Sequence, residues 1–443
     1  MRTLVVFEDS VQRAFATLTE VRGVFDLRCG ARTLLERLVG AVPADHVVLL
    51  PRRELTTLVE ENNTALPGLQ SLSSGASFAP GEVVFVNGRL LALGKDVQRL
   101  LAGAAAEYTG WVQGSLVLAR CAPAGATKLA AALRDALDAT TGGPRGATTR
   151  EKMAAALPTA PMLEWDARHD WNRDGSALLA HAWQLTERNG SALRDDFAQG
   201  PGAGIDPGAR LDAGVHILQP DAVRIEAGAR LRPGVVLDAE AGPITIAAGV
   251  EVQSHVLVRG PAYVGEGCLL KAGTKIQGNT SLGPVCKIGG EVEGSIVQGF
   301  SNKQHEGFLG HAFLAEWVNL GADTNNSDLK NNYGNVRMWE VGEFVDTGLM
   351  FAGLVAADHV KTAIDTQLNT GTVLGLASQI AMSGFPPKYI PPFSWCGPEG
   401  IEVYDLERAL NTARTVMARR DRALTPAYEA AFRGAFAAHD RKS

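Results

Sequence analysis

Residues 246–288 read IAAGVE-VQSHVL-VRGPAY-VGEGCL-LKAGTK-IQGNTS-LGPVCK-I, and the first residue of every block (Ile246, Val252, Val258, Val264, Leu270, Ile276, Leu282, Ile288) is Val, Leu or Ile. In a chain with 46% hydrophobic residues, eight such positions in a row arise by chance with a probability of roughly 0.002, or about 0.01 over six choices of frame. A six-residue period is neither helical nor alternating; it is the signature of a parallel β-helix made from hexapeptides. Three hexads close one triangular coil, so Ile246, Val264 and Leu282 are expected in one inward column and Val252, Leu270 and Ile288 in the next. Ile205/Leu211/Ile217 and Ile225/Leu231/Leu237 keep the same step, and a glycine tends to follow three residues later, as in Gly208, Gly214, Gly228, Gly234, Gly249, Gly267 and Gly273. Glycine suits a corner, where the backbone turns with little room. The expected hand is left, an exception to the right-handed crossover rule. The bland alternative is a β-sandwich with an accidental step of six.

Outward from this stretch the chain divides. Between Thr3 and Ala139, short apolar runs (Thr3–Phe7, His46–Leu50, Val83–Asn87, Ser115–Ala119) alternate with helix-like segments (Ala31–Leu38, Glu54–Glu61, Asp96–Ala106, Lys128–Ala139). That alternation predicts an α/β layer on a mainly parallel sheet. We expect an α/β domain over 1–145, a helical connector over 146–200, the β-helix over 201–398 and C-terminal helices over 399–443. The six-step turns ragged through Gly299–Gly375, where Gly, Asn, His and Asp are dense, as in loops that build a site. The Pro-rich Phe385–Phe393 is expected to close the coil, and an amphipathic helix over Leu406–Arg420 to cap its open end.

Composition narrows the function. The 443 residues carry a net charge of −6 and no long Lys/Arg run, so a footprint for nucleic acid or anionic lipid is missing. Small molecules are the expected partners, with no nucleic acid and no membrane. The five scattered cysteines form no C-x-x-C pair and read as reduced, buried thiols. Glu8 interrupts the N-terminus too early for a signal peptide, and no stretch approaches a membrane span, so a cytoplasmic location is expected. No G-x-S-x-G, H-E-x-x-H, Walker loop or G-x-G-x-x-G after the first strand is present, which removes the usual support for hydrolase, zincin and NAD-enzyme readings.

The segment Ser301–Gly334 contains His305 three residues before Phe308-Leu309-Gly310, then Val318-Asn319-Leu320-Gly321-Ala322-Asp323-Thr324 and later Asn332-Tyr333. It resembles the acetyltransferase site of the bacterial bifunctional family that acetylates glucosamine-1-phosphate and then makes UDP-N-acetylglucosamine. The resemblance implies a left-handed β-helix acyltransferase domain that works as a homotrimer. A thioester-attacking amine must lose a proton, and an imidazole of near-neutral pKa suits that task; His305 is the implied base, with His311 a competitor on the same loop. Asn319, Asn332 and Tyr333 are candidates for the sugar, and the backbone at Gly321 and Ala322 for the acetyl-CoA thioester. Lys271, in Leu-Leu-Lys-Ala-Gly, stands where the family has an Arg that holds phosphate, and Lys303, Lys330 or Arg337 are further phosphate cations. Phe308 replaces the family's Tyr, Asp323 replaces a Gly, and four residues are inserted before Asn332-Tyr333.

Near the N-terminus, Phe7-Glu8-Asp9, Arg22, Asp26-Leu27-Arg28-Cys29-Gly30-Ala31-Arg32 and Val86-Asn87-Gly88-Arg89 resemble a variant class of the same family, without the glycine loop of sugar nucleotidyltransferases. The resemblance implies a nucleotidyltransferase-like α/β domain using UTP and Mg²⁺, with Arg22, Arg28, Arg32 and Asn87 as nucleotide-binding candidates and Asp9 or Asp26 near the metal, whose ligands stay open. The implied function is acetylation of a hexosamine-1-phosphate coupled to uridylyl transfer. Action on another sugar phosphate with a degenerate nucleotide-binding domain, or a non-enzymatic trimeric scaffold, are the alternatives.

Overall fold

The computed structural model of the chain describes residues 1–66, 68–70, 78–102, 107–138, 147–158, 160–165 and 175–440. It separates into two compact units, Met1–Leu27 with Thr33–Ala180, and Arg28–Arg32 with His181–Ser443.

The first unit is built on a seven-stranded sheet in the order Met162–Trp165, Tyr108–Val112, Ser115–Cys121, Glu82–Asn87, Arg2–Phe7, His46–Leu50, Leu69–Gln70. Four of the six neighbouring pairs are parallel; Ser115–Cys121 runs antiparallel to both of its neighbours. The four apolar runs read from the sequence are all strands here. Helix Leu34–Ala41 begins where Thr33 Oγ1 accepts from Glu36 N–H and the Glu36 carboxylate accepts from Thr33 N–H, a reciprocal cap that satisfies two otherwise orphaned donors. On the face carrying Phe7 and Phe85, helix Pro123–Asp138 buries Leu129 and Leu133.

The second unit is a three-faced parallel β-helix. Its first face has ten rungs, and the inward column runs Ile205, Ile225, Ile246, Val264, Leu282, Val297, Leu314, Ala356, Leu374, Ile390, each paired in register with the next. Val252, Leu270 and Ile288 stack on the second face as expected. Ile217, Leu237, Val258, Ile276, Val292 and Leu309 stack on the third face; from Ile225 on, the buried side chains of the three columns fill the prism, and the ladder hydrogen bonds run between coils rather than within one. Past Ile288 the columns continue although the period breaks. Leu282 pairs with Val297 and Ile288 with Lys303, so this coil is shorter, and between Leu314 and Ala356 the chain inserts the hairpin Arg337–Glu340/Glu343–Asp346. The Pro-rich segment supplies a further rung, Tyr389–Ile390, rather than a lid over the coil.

The residue three past the first-face column is in the left-handed region in nine coils: Gly228, Gly249, Gly267, Val285, Phe300, Trp317, His359, Ala377 and Phe393. Left-handed backbone costs an L-residue roughly 1–2 kcal/mol, and glycine avoids that cost only in the first three. In the later coils aromatic rings form a ladder along the corner, with Phe300 stacked on Trp317 at 4.6 Å and Trp317 on His359 at 6.2 Å. Helices Leu406–Ala418 and Pro426–Asp440 follow the last coil. Phe432 meets His359 and Phe393, Tyr428 Oη lies 2.9 Å from His359 Nε2, and Arg422 sits over the Phe300 ring. The C-terminal helices therefore lie along the side of the prism, drawn there by the ladder, and do not plug its end.

Helix Trp183–Gln199 covers part of the first face. Asn189 donates to Asn279 O and accepts from Ser281 Oγ, while the same helix holds Arg28–Arg32 through Gly30 N–H to Asn189 Oδ1 and Ala31 N–H to Asp196 Oδ2. The expected connector is thus divided: helix Ala147–Ala156 belongs to the first unit and Trp183–Gln199 to the second. All five cysteines are free and buried, and no helix among the described residues is long and apolar enough to cross a membrane.

Candidate functional site

On the second face, the inward column is Leu270, Ile288, Lys303, Leu320, Thr362, Ile380, so the residue before each points outward. The outward column reads Lys287, Asn302, Asn319, Lys361. Asn302 Nδ2 donates to Asn319 Oδ1 at 3.3 Å, and Arg420, just past helix Leu406–Ala418, donates to Asn302 Oδ1 at 2.7 Å. Lys287 is held below the ordinary lysine range by burial and by the charges of Arg420, Arg419 and Lys271. Burial alone pulls Lys361 down to about 8. A face that gathers Lys271, Lys287, Lys361, Arg419 and Arg420 around two asparagine amides is suited to an anionic ligand that also presents hydrogen-bonding hydroxyls. Lys271 and Asn319 stand in recognisable motifs; Lys287, Lys361, Arg419 and Arg420 lack any local motif, and the sheet register together with the returning helix brings them in.

Lys303 occupies an inward position and is 1% exposed. Its Nζ donates to Gly289 O at 3.0 Å and to His305 O at 2.9 Å, and burial brings its pKa down to about 8. It therefore ties the His305 loop to the preceding coil instead of meeting solvent. His305 itself is exposed at the corner after this strand. A depressed folded-state pKa means that the Lys303 contribution to stability is present in full above the unfolded value of 10.5 and is lost as pH falls towards 8. Relative to Lys303→Met, the wild-type chain should gain stability as pH rises from about 8 to 10.5, checked by paired urea melts. A constant difference across that window would show that Lys303 does not titrate there.

Gly321 N–H already donates to Thr362 Oγ1, which leaves Ala322 N–H as the candidate donor to a thioester. A Cβ on Gly321 would lie 2.3 Å from Ala363 O, so the turn needs glycine to stack on the next coil. Asn332 and Tyr333 stand apart from this face. They follow Asp328 and Leu329 at another corner, Tyr333 is 66% exposed, and Asn332 Oδ1 accepts from Gly334 N–H. Lys330 Nζ bonds Asn335 O in the same loop, and Arg337 lies on the inserted hairpin.

The four nucleotide-binding candidates are divided between the two units. Arg22 and Asn87 belong to the first unit, Arg28 and Arg32 to the second. Asn87 is wholly buried, its amide donating to Asp9 Oδ2 and Leu116 O and accepting from Arg89 N–H. Arg28 lies over the Tyr263 ring, and Arg32 pairs with Asp196 and Gln199. At the strand ends where an open α/β sheet commonly binds ligands, Arg89 grips both oxygens of Asp9 at 2.9 and 2.7 Å. Glu8 accepts from Val24 and Arg52 N–H, while burial raises Asp26 to about 7. Asp9 therefore does not fit Mg²⁺, its carboxylate being spent on a guanidinium. Among the described residues no three metal-ligating side chains converge.

Residues 4–200 match the family model described as sugar nucleotidyl transferase. More particularly, the chain is 27% identical over 157 residues to the bifunctional protein GlmU of Rippkaea orientalis, covering 30% of this chain and 34% of that protein. It is 28% identical over 149 residues to the bifunctional sugar-1-phosphate nucleotidylyltransferase/acetyltransferase of Sulfurisphaera tokodaii, covering 29% and 37%. The chain thus spans about a third of the length of the curated relatives it matches. Among solved structures, LpxA from Acinetobacter baumannii covers 47% of this chain and 77% of its own at 11% identity and a TM-score of 0.20. In kind, the chain resembles GlmU-like bifunctional transferases.

Proposed function

We propose that the second unit transfers an acetyl group from acetyl-CoA to the amine of a hexosamine-1-phosphate, and that the first unit joins the product to UTP, giving UDP-N-acetylglucosamine and pyrophosphate. The observation that carries the acyl-transfer half is the outward column of Asn302 and Asn319 flanked by Lys271, Lys287, Lys361 and Arg420, beside the loop that presents His305. In this reading the cations hold the sugar phosphate and Asn319 orients the sugar. His305 takes the proton as the amine nitrogen bonds to the thioester carbon. The C–S bond then breaks, and the departing thiolate is protonated. Ala322 N–H faces the oxyanion that develops on the carbonyl. A homotrimer is part of the same reading.

Release of free thiol from acetyl-CoA, dependent on glucosamine-1-phosphate, tests the acyl half; pyrophosphate release from UTP with N-acetylglucosamine-1-phosphate tests the other. The internal pairing of Asp9 with Arg89 and the burial of Asn87 favour a second reading, in which the first unit binds a nucleotide without transferring it. That reading expects UTP binding by calorimetry with no pyrophosphate.

A further inference from the structure

His305 and His311 are six residues apart and so stand at successive corners of the prism, His305 after the strand Asn302–Lys303 and His311 after Phe308–Gly310. The His311 corner has a construction of its own. His311 Nδ1 lies 2.8 Å from Asp328 Oδ2, and the ring packs against Phe351 at 5.3 Å. A carboxylate at Nδ1 holds that nitrogen's proton and leaves Nε2 as an acceptor. His311 lines a cleft of about 480 Å³ whose other wall is helix Trp183–Gln199. Three glycines make room for its polar groups. A Cβ on Gly294 would lie 2.9 Å from His311 Nε2, one on Gly310 2.3 Å from Asp328 Oδ2, and one on Gly190 2.0 Å from Asn279 Oδ1.

The helix wall brings Arg188 and Arg194, with Glu187 as the acid beside them. Arg194 donates to the carbonyls of Gly190 and Ala241, neutral acceptors that leave its charge in place. Met350 and Phe351, each 44% exposed, supply an apolar lip. We propose that this cleft is a second small-molecule site, separate from the acyl-transfer face, for a phosphorylated ligand bearing a hydroxyl. Arg188 and Arg194 meet the phosphate, and the hydroxyl donates to Nε2 of His311. Guanidinium groups match phosphate bidentately, and a carboxylate-backed imidazole is a strong acceptor for an O–H. The proposal stands without the acetyl-transfer reading.

The test uses the full chain with ring-¹³C-labelled histidine, the His311 resonance being assigned by its loss in His311→Gln. Ribose 5-phosphate should shift this resonance saturably at millimolar concentration, and unphosphorylated ribose should not. Arg188→Ala/Arg194→Ala, changes on an exposed helix surface, should weaken binding roughly 10- to 100-fold, the cost of losing charge-assisted hydrogen bonds, with the rate of thiol release from acetyl-CoA unchanged. Asp328→Asn should weaken it as well while keeping the ring's shape partner. No shift, an equal shift with ribose, or undiminished binding in the double variant would overturn the proposal. Because the readout is a resonance, a failed acetyl-transfer assay leaves it standing.

Discussion

His305→Ala should lower the rate of acetyl-CoA thiol release on glucosamine-1-phosphate by about 10²- to 10⁴-fold, the usual contribution of a positioned general base. The loss should fall on kcat more than on KM, because the side chain acts on the proton that leaves in the transition state and holds no ground-state group. Stability should change by no more than about 0.5 kcal/mol, since the ring is exposed and stands at a corner outside the packed columns. That combination separates a base from a structural residue. Lys303→Met acts differently: it frees the carbonyl of His305 from its tie to the coil, so any loss of rate comes with displacement of the loop. Wild-type turnover in His305→Ala would move the base elsewhere.

The second large effect concerns the corner ladder. Trp317 is 3% exposed, stacks between Phe300 and His359, and sits at a φ of 63°. Its replacement by Ala should destabilise the second unit by roughly 3–5 kcal/mol, the cost seen for deleting a buried aromatic side chain. Ala keeps the left-handed conformation and its penalty while losing the stacking. Trp317→Gly should therefore be milder than Trp317→Ala by about 1 kcal/mol, although it removes one more carbon. Loss of the ladder should also loosen residues 406–440, read as faster amide exchange and easier proteolysis of that segment. Protection there equal to wild type would mean that the helices are held by something other than the aromatic corner.

Much of the architecture was legible because its physics is periodic. A prism filled by three columns demands an aliphatic residue at every sixth position, and Ile246 to Ile288 meet that demand without a break. The same logic hid the later coils. Where a coil shortens, as from Leu282 to Val297, the period vanishes from the sequence although the column continues in space. Lys303 conceals its inward position further, since a lysine there reads as surface until its carbonyl partners are known. Val285 and Trp317 sit where the earlier coils put glycine, so the corner could not be traced by composition. In the first unit the strands were clear from their apolar runs. The fates of Arg28 and Arg32 were not, because Arg28 meets Tyr263 on the prism and Arg32 meets Asp196 on helix Trp183–Gln199, each more than 150 positions along the chain. Of the candidate site, motifs marked His305, Asn319 and Lys271, while the other cations around them arrive by register and by a returning helix.

The way these helices lie has a bearing on how the second unit comes apart. A stack of coils that touch only their neighbours behaves as a one-dimensional array, able to fray from either end one rung at a time. Helix Trp183–Gln199 grips the chain at Ala241, Asn279 and Ser281, and the C-terminal segment grips it at Phe300, Asn302, His359 and Phe393. These act as two splints laid across consecutive rungs, so that releasing one rung means lifting a whole splint. They couple the array into a single cooperative block, and unzipping gives way to all-or-none melting.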